Sequence, residues 1–231
     1  MRIAGGLNFN PESLKLKRYN VFIGLSLGNR YFKDPNNIKD FLSWSLKNST
    51  SDVLIFIPDK IHAINYQVKD KYRYEKALRT ALRKGQQIKQ QVEEVSLQFD
   101  PIQKQRIKIL TWADIEKSGD YERRKKILYE EFANNPQFKT RIIEAVQENT
   151  RNTKSRLEAN QYELLASYSL NELPLYIDGF EYFGKRYNLT LYPGIGKIDY
   201  LAKDIQDGIA FQNLTKKLSI QGKTTIIESY R

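Results

Sequence analysis

Cysteine is absent from this chain of 231 residues, and histidine occurs once, at position 62. The lack of cysteine excludes a disulfide framework and thiolate metal sites, and a single histidine argues against a zinc site. No apolar run approaches the roughly 20 residues that a membrane-spanning helix requires. We therefore expect a cytoplasmic protein that binds neither a metal nor a membrane.

Acidic residues are the scarcer charge, because 27 aspartates and glutamates face 38 lysines and arginines, for a net charge of +11. Such an excess is typical of proteins with a polyanionic partner, and it favours nucleic acid over a membrane surface. A lysine-rich proteome would explain the same excess. Charge alone therefore leaves both explanations open.

Short apolar, β-branched runs alternate with segments of helical period. The strand-like runs are 19–25, 53–58, 106–112, 175–177 with 180–183, and 188–192, and the helical segments are 38–47, 72–95, 120–132, 139–146 and 157–173. This alternation predicts an α/β fold whose parallel sheet carries helices on both faces. No repeat or proline-rich linker divides the chain, so we expect one domain over 1–231 with loosely held ends, about 1–16 and 215–231.

The helical segment 72–95 has two faces of opposite character. At about 100° per residue, one face is apolar and contains Leu78, Ala81, Leu82, Gly85, Ile88 and Val92. The other is basic and contains Arg73, Lys76, Arg79, Arg83 and Lys84, with only Glu75 nearby. Because a solvated helix usually mixes both signs, this basic stripe favours contacts with nucleic-acid phosphates over a merely solvated surface.

The first apolar run breaks into a serine between two glycines, in the order Gly24-Leu25-Ser26-Leu27-Gly28. A turn at the carboxyl end of a parallel strand is where open α/β sheets bind ligands. A hydroxyl in this place could be a nucleophile, but the scarcity of histidine removes its usual base. Ser26 therefore either only hydrogen-bonds a ligand, or reacts while other groups manage its proton.

The last predicted helix places Tyr168 and Glu172 four residues apart, on one face with Leu164 and Leu165. This face should point inward, and Pro174 should end the helix. A buried carboxylate is costly unless it is paired or serves as an acid or base. Glu172 is thus a candidate acid or base, although a structural ion pair or a loop cap explains it at least as well.

Signatures of a nucleotide site are missing. Gly222-Lys223-Thr224 resembles the end of a phosphate-binding loop, but Lys217 stands where the earlier glycine belongs and no strand–loop–helix follows. Residues 62–65 are not the HIGH signature of nucleotide-activating synthetases, and no KMSKS-like sequence occurs. We therefore expect no ATP site and no cofactor, and we expect His62 to be a surface or structural residue.

The order and spacing of these pieces resemble the cyclodipeptide synthases, which use two aminoacyl-tRNAs to make a cyclic dipeptide (a diketopiperazine). Residues 24–29 with Tyr31 and Phe32 resemble the nucleophile motif, 53–59 the second strand, and 81–85 the tRNA-binding basic helix. Tyr168, Glu172 and the following Leu173-Pro174 resemble the Tyr-x-x-x-Glu helix, and Tyr192 resembles the late active-site tyrosine. The match spans roughly residues 18–200.

One departure concerns the branches of this family. Asn29, three residues after Ser26, is typical of one branch, whereas Pro193 directly after Tyr192 is typical of the other. We favour the branch with the proline. The resemblance implies a Rossmann-like fold similar to the catalytic domain of class I tyrosyl- and tryptophanyl-tRNA synthetases, without their ATP machinery, in a monomer whose partners are two aminoacyl-tRNAs.

The resemblance also implies a role for each candidate residue. Ser26 would carry the aminoacyl and then the dipeptidyl group in a ping-pong reaction, while Glu172 and Tyr168 would hold the ammonium. Tyr192 would position the adduct or relay a proton, and Asn29 would join this group. Backbone amides at Gly24 and Gly28 could bind the oxyanion. The first aminoacyl pocket would have as walls Phe22, Leu54 and Leu175, which favours an apolar side chain.

Two other functions stay open. A non-catalytic synthetase-like module that binds tRNA or other RNA explains the charge and the basic stripe equally well. It does not explain the serine turn together with Tyr168, Glu172 and Tyr192. A serine hydrolase is a weaker alternative because only one histidine is present.

Overall fold

A computed structural model describes residues 2–16, 19–151 and 157–230. Its strands are β1 (Arg2–Leu7), β2 (Tyr19–Gly24), β3 (Ser49–Ile57), β4 (Ile107–Thr111), β5 (Phe180–Tyr182), β6 (Lys185–Tyr187), β7 (Leu189–Tyr192) and β8 (Thr225–Tyr230). Its first helices are α1 (Pro11–Lys15), a 3₁₀ helix (Arg30–Lys33), α2 (Pro35–Asn48), α3 (Ala63–Lys69), α4 (Tyr74–Ser96), α5 (Pro101–Gln105) and α6 (Trp112–Ile115). The later helices are α7 (Gly119–Asn134), α8 (Pro136–Asn149), α9 (Ala159–Asp178), α10 (Lys197–Gln206) and α11 (Gln212–Leu218).

The main sheet has the strand order β1-β8-β7-β2-β3-β4. Strands β8, β7, β2, β3 and β4 are parallel, and β1 pairs antiparallel with β8. Strands β5 and β6 form a separate antiparallel hairpin. The predicted α/β fold with a parallel sheet is confirmed, and residues 180–183 belong to the hairpin rather than to the sheet.

Alternation along β2 explains why both faces of the sheet are covered. Val21 and Ile23 pack in a cluster with residues of α2 and α4 on one face. Phe22, between them, packs with Leu175 of α9 and Trp112 of α6 on the other face. Because successive side chains of a strand point in opposite directions, each strand joins two layers of helices. The carboxyl end of β2 therefore lies between helices.

Helix α9 extends beyond the position where we expected it to end. Pro174 lies inside the helix, residues 175–177 are helical and not a strand, and Gly179, at φ 70°, follows the last turn. The prediction of a stop at Pro174 and of a strand at 175–177 is therefore wrong. The run is apolar because this part of α9 is buried. Asp178 stabilises the last turn of α9 by accepting hydrogen bonds from the Gly222 amide at 2.6 Å and from the Arg186 side chain at 2.9 Å.

The two ends of the described chain are joined to each other. Strand β1 pairs with β8 from Leu7 with Ile226 to Arg2 with Tyr230. Both strands lie in the ends that we expected to be loosely held, while residues 1 and 231 lie outside the described residues. The single-domain interpretation stays a prediction.

Candidate active site

A cavity of about 770 Å³ opens where β2, β3 and β7 end. Its walls come from the loop after β2, the turn after β3 with α3, helices α8 and α9, and the loop between β7 and α10. Segments that are distant in sequence therefore converge at the carboxyl edge of the parallel sheet. This is where a doubly wound sheet places its ligand site.

The turn that contains Ser26 follows β2 directly and forms part of the cavity wall. The Leu25 amide donates to the Phe56 carbonyl at 2.9 Å, which continues the pairing of β2 with β3 for one residue. The chain then turns, and the Asn29 amide donates to the Ser26 carbonyl at 3.2 Å. The strand end thereby fixes a half-buried serine at the cavity, with Gly24 and Gly28 also in its lining.

Asn29 connects this turn to the late tyrosine. Its side-chain oxygen accepts from the Tyr31 amide at 3.0 Å and begins the 3₁₀ helix. Its side-chain nitrogen donates to the Tyr192 hydroxyl at 3.3 Å. The nearby Ser26 side chain favours the ionised form of Tyr192, but burial outweighs this effect and raises the pKa of Tyr192. Tyr192, at the end of β7, therefore meets Ser26 as a neutral phenol that can pass on a proton.

Tyr168 and Glu172 face the same cavity from α9. The Tyr168 hydroxyl donates to the Glu172 carboxylate at 2.9 Å. Burial raises the pKa of Glu172 to about 8, although the Tyr168 hydrogen bond opposes this shift. Leu165 is buried as expected, but Leu164 is 37% exposed, so its predicted inward position is wrong. Leu164 lies at the edge of the face of α9 that points inward. The buried arc of the helix is narrower than the spacing of four residues from Leu164 to Tyr168 suggests.

The cavity also contains titratable residues that were not among the predicted site residues, including Asp199 and Tyr176. Asp199, in the first turn of α10, accepts from the Gly196 amide at 2.7 Å, and burial raises its pKa to about 6. Tyr176, one helical turn after Glu172 on α9, also lines the cavity. Only the i,i+4 spacing from Glu172 signals Tyr176 in the sequence. Asp199 carries no such signal because it reaches the site from another segment.

His62 is not at the surface. It is 6% exposed, lines the cavity, and packs its ring edge-on against Tyr168 at a centroid distance of 5.9 Å. Burial lowers its pKa to about 4, so the imidazole is neutral at pH 7. The surface alternative for His62 is therefore wrong.

The apolar part of the cavity contains two of the three predicted pocket residues. Phe22 and Leu175 line it, together with Phe56 and Trp112. Leu54 is completely buried in the same hydrophobic cluster but is not among the described residues that line the cavity. Its position on β3, two residues before Phe56, places it deeper along the strand, behind the wall that we expected it to form.

The basic stripe lies on α4, beginning at the residue before its first turn. Arg73, Lys76, Arg79 and Arg83 are exposed, and Lys84 is half-buried. Ala81, Gly85 and Val92 are buried as expected, but Leu82 is 43% exposed. The prediction that Leu82 belongs to the apolar face is therefore wrong. The buried face of α4 is made largely of small residues, and it includes Ala77, which we had not predicted there. Gly85 packs against Asp59, where a Cβ would overlap that side chain.

Asp59 fixes this helix relative to the site. It follows β3 and accepts from the Trp112 amide at 3.0 Å, thereby joining the ends of β3 and β4. Since Gly85 contacts Asp59, α4 lies beside the turn that leads into His62 and α3. Within the described part of the chain, no cluster of three metal-binding side chains occurs, and no helix is long and apolar enough to cross a membrane.

The carboxyl edge of this α/β sheet thus brings together, around one cavity, a serine turn, two tyrosines and a carboxyl group of raised pKa. The cyclodipeptide synthase family model matches residues 10–202. The chain belongs to the cyclodipeptide synthase family, whose members are tRNA-dependent aminoacyltransferases with aminoacyl-tRNAs as substrates. No curated protein sequence matches it.

Solved structures show the same fold at low sequence identity. A cyclodipeptide synthase from Fluoribacter dumoffii has a TM-score of 0.71 at 14% identity, covering 97% of this chain and 96% of that one. A cyclodipeptide synthase from Bacillus thermoamylovorans has a TM-score of 0.72 at 17% identity, covering 94% and 90%. A Mycobacterium tuberculosis protein, described as demonstrating that cyclodipeptide synthetases are related to type I tRNA synthetases, has a TM-score of 0.66 at 16% identity, covering 85% and 82%.

Proposed function

We propose that this enzyme makes its cyclic dipeptide by a ping-pong reaction through Ser26. The Ser26 oxygen attacks the ester carbonyl of the first aminoacyl-tRNA, the bond to the ribose oxygen breaks, and the serine proton passes to that oxygen through Tyr192. The observation that carries this proposal is the position of the Tyr192 hydroxyl, which accepts a hydrogen bond from Asn29 and lies near Ser26 in the same cavity. It supplies a proton path without a histidine base.

Glu172 manages the second proton in this proposal. The amine of the aminoacyl-enzyme attacks the ester of the second aminoacyl-tRNA, which releases the second tRNA and leaves a dipeptidyl-enzyme. The amine must first lose a proton. A pKa raised to about 8 makes the ionised form of Glu172 a stronger base than an ordinary carboxylate, and the fraction that is ionised near neutral pH accepts this proton. The free amine of the dipeptide then attacks the Ser26 ester, which closes the ring and returns the proton to the serine oxygen.

The apolar end of the cavity supports an apolar side chain on the first amino acid. Phe22, Phe56, Trp112 and Leu175 present aromatic and aliphatic surface there. A charged side chain would lose its hydration among them without gaining a partner. Gly24 and Gly28 leave the backbone of the Ser26 turn open to the ester, so that its amides can bind the oxyanion. We also propose that the chain acts as a monomer, in the branch with proline after Tyr192.

Trapping the covalent intermediate tests this function. Protein mixed with charged tRNA and quenched should gain the mass of one aminoacyl group on the peptide that contains Ser26. The adduct should be lost in Ser26→Ala and kept in Ser169→Ala, which removes another hydroxyl from the same cavity. Cyclic dipeptide made at the full rate by Ser26→Ala would contradict the covalent mechanism.

A further inference from the structure

A line of aromatic rings runs from the cavity to helix α4. The His62 ring packs edge-on against Tyr66 at a centroid distance of 5.1 Å, and Tyr66 stacks with Tyr72 at 6.5 Å and an interplanar angle of 25°. Lys76 of the basic stripe lies 3.8 Å above the Tyr72 ring. His62 and Tyr66 line the cavity. The line therefore joins the reacting end of the site to the basic stripe.

Packing alone accounts for only part of this arrangement. Tyr66 and Tyr72 pack against Ala63, Ala77 and Ala81, where α3 meets α4. Both tyrosines nevertheless keep part of their surface exposed. Burial and the negative charge of Asp70 raise the pKa of Tyr66, and the positive charge of Arg83, which also acts on this ring, opposes them. The partly exposed rings are thus next to side chains that suit phosphates.

We propose that Tyr66 and Tyr72 form a stacking surface for the unpaired 3′ nucleotides of the aminoacyl-tRNA, between the basic stripe and the cavity. The inference rests on the proposed position of the ester at Ser26 and of tRNA on α4. A tRNA held by its paired stem at α4 must send its unpaired end across this stretch to reach Ser26. Aromatic rings beside basic side chains are the surfaces on which proteins hold single-stranded nucleic acid.

The contact between Lys76 and Tyr72 is compatible with this role. A base that stacks on the Tyr72 ring displaces the ammonium, which then pairs with a neighbouring phosphate. Base–aromatic stacking exceeds an exposed cation–π contact in strength, so the exchange is favourable. The neutral His62 ring ends the line at the cavity wall without repelling the ammonium of the aminoacyl group.

Binding of uncharged tRNA tests the proposal without any dependence on the chemistry at Ser26. Affinities are measured for an intact tRNA and for the same tRNA trimmed of its unpaired 3′ nucleotides. Tyr72→Leu should weaken binding of the intact tRNA about tenfold and leave binding of the trimmed tRNA unchanged. Tyr72→Phe should retain the wild-type affinities, as should Tyr200→Leu, which removes a 52% exposed tyrosine on α10.

A second measurement uses the unaltered protein. A 2-aminopurine placed among the unpaired 3′ nucleotides should lose fluorescence on binding, because stacking on a ring quenches it, and Tyr72→Leu should restore the signal. Equal weakening of intact and trimmed tRNA by Tyr72→Leu would show that the tyrosines only pack α3 against α4. The absence of quenching in the wild-type protein would overturn the proposal by itself. Neither result would bear on the Ser26 adduct.

Discussion

The two sides of the cavity carry different titratable groups, basic side chains on one side and carboxyl groups on the other. What we call the basic wall consists of α3, with Lys69 at the cavity, and of α4 behind it, which carries the basic stripe but does not itself line the cavity. The acidic wall comprises α9 and α10, with Glu172 and Asp199. An aminoacyl-tRNA has the same separation, because its phosphates are negative and its amino acid ends in an ammonium. This separation is what the proposed function requires of the two walls.

The walls also differ in how strongly solvent affects them. The arginines of the basic stripe are exposed, so that salt screens them and each contributes little alone. Glu172 is buried enough for its pKa to rise to about 8. Its interactions respond to protons rather than to salt. Changes to the acidic wall should therefore alter chemistry and pH dependence, and changes to the basic wall should alter salt dependence.

The largest effect is expected from removing the carboxyl group of Glu172. Glu172→Gln keeps the shape of the side chain but cannot accept a proton from the amine, so kcat/KM for product formation should fall by roughly 10²–10⁴-fold. The matched control is Glu163→Gln, an exposed position on the same helix, which should retain activity. Near-normal turnover by Glu172→Gln would exclude Glu172 as the base.

Stability should reveal the same carboxylate through its pH dependence. The folded protein holds a proton on Glu172 up to a pKa of about 8, whereas the unfolded chain releases it near 4.5. The folded state thus binds more protons between these values, and the contribution of Glu172 to stability is present at low pH and is lost as pH rises toward 8.

Glu172→Gln removes this loss. Relative to wild type, the variant should gain stability between pH 5 and 8, by roughly 4 kcal/mol at most. Denaturant unfolding of both proteins across this pH range measures the difference in stability. His62, whose pKa is lowered, contributes with the opposite sign in both proteins, so most of its effect cancels when one stability curve is subtracted from the other. A difference that does not change with pH would mean that Glu172 is ionised in the folded protein.

The next effect concerns the position of the basic wall. Gly85→Ala places a Cβ onto Asp59, so it should destabilise by about 1–3 kcal/mol, although alanine is the better helix former. Gly119→Ala is the matched control at the start of α7, where a Cβ meets nothing within 4 Å. Thermal unfolding should show a lower Tm for Gly85→Ala alone. Equal Tm values would mean that α4 shifts away from Asp59 at no cost.

The acidic wall also shows what sequence patterns can and cannot predict. The apolar run around Phe22 and the four-residue spacing of Tyr168 and Glu172 are local, so they predicted the strand and the shared face. Asp199 and His62 reach the cavity through the order of the strands, which no local pattern encodes. Residues 175–177 were misread because buried apolar runs of this length occur in strands and helices alike.

The ends of the chain illustrate the same limit. Strand β1 contains two adjacent glycines, Gly5 and Gly6, and its partner β8 follows more than 200 residues later. Glycine weakens the local preference for a strand, so pairing with β8 decides the structure. The 3.6-residue period of α4 predicted the basic stripe, but the exposure of Leu82 shows that its apolar edge depends on the contact with α3.

The smallest effect is expected for the basic stripe, where charges act additively. Replacing Arg83 and Lys84 with alanine should weaken binding of all tRNAs alike and reduce the slope of log affinity against log salt by roughly one to two. Because Arg83 is exposed and Lys84 half-buried, stability should change by about 0.5 kcal/mol or less per site. The products should stay the same, since phosphate contacts position a nucleic acid without selecting the amino acid. Titrations at several salt concentrations measure the slope, with Lys126→Ala on α7 as an exposed control. If the double variant folds and keeps the wild-type slope, tRNA binds to another surface and the basic stripe is only exposed to solvent.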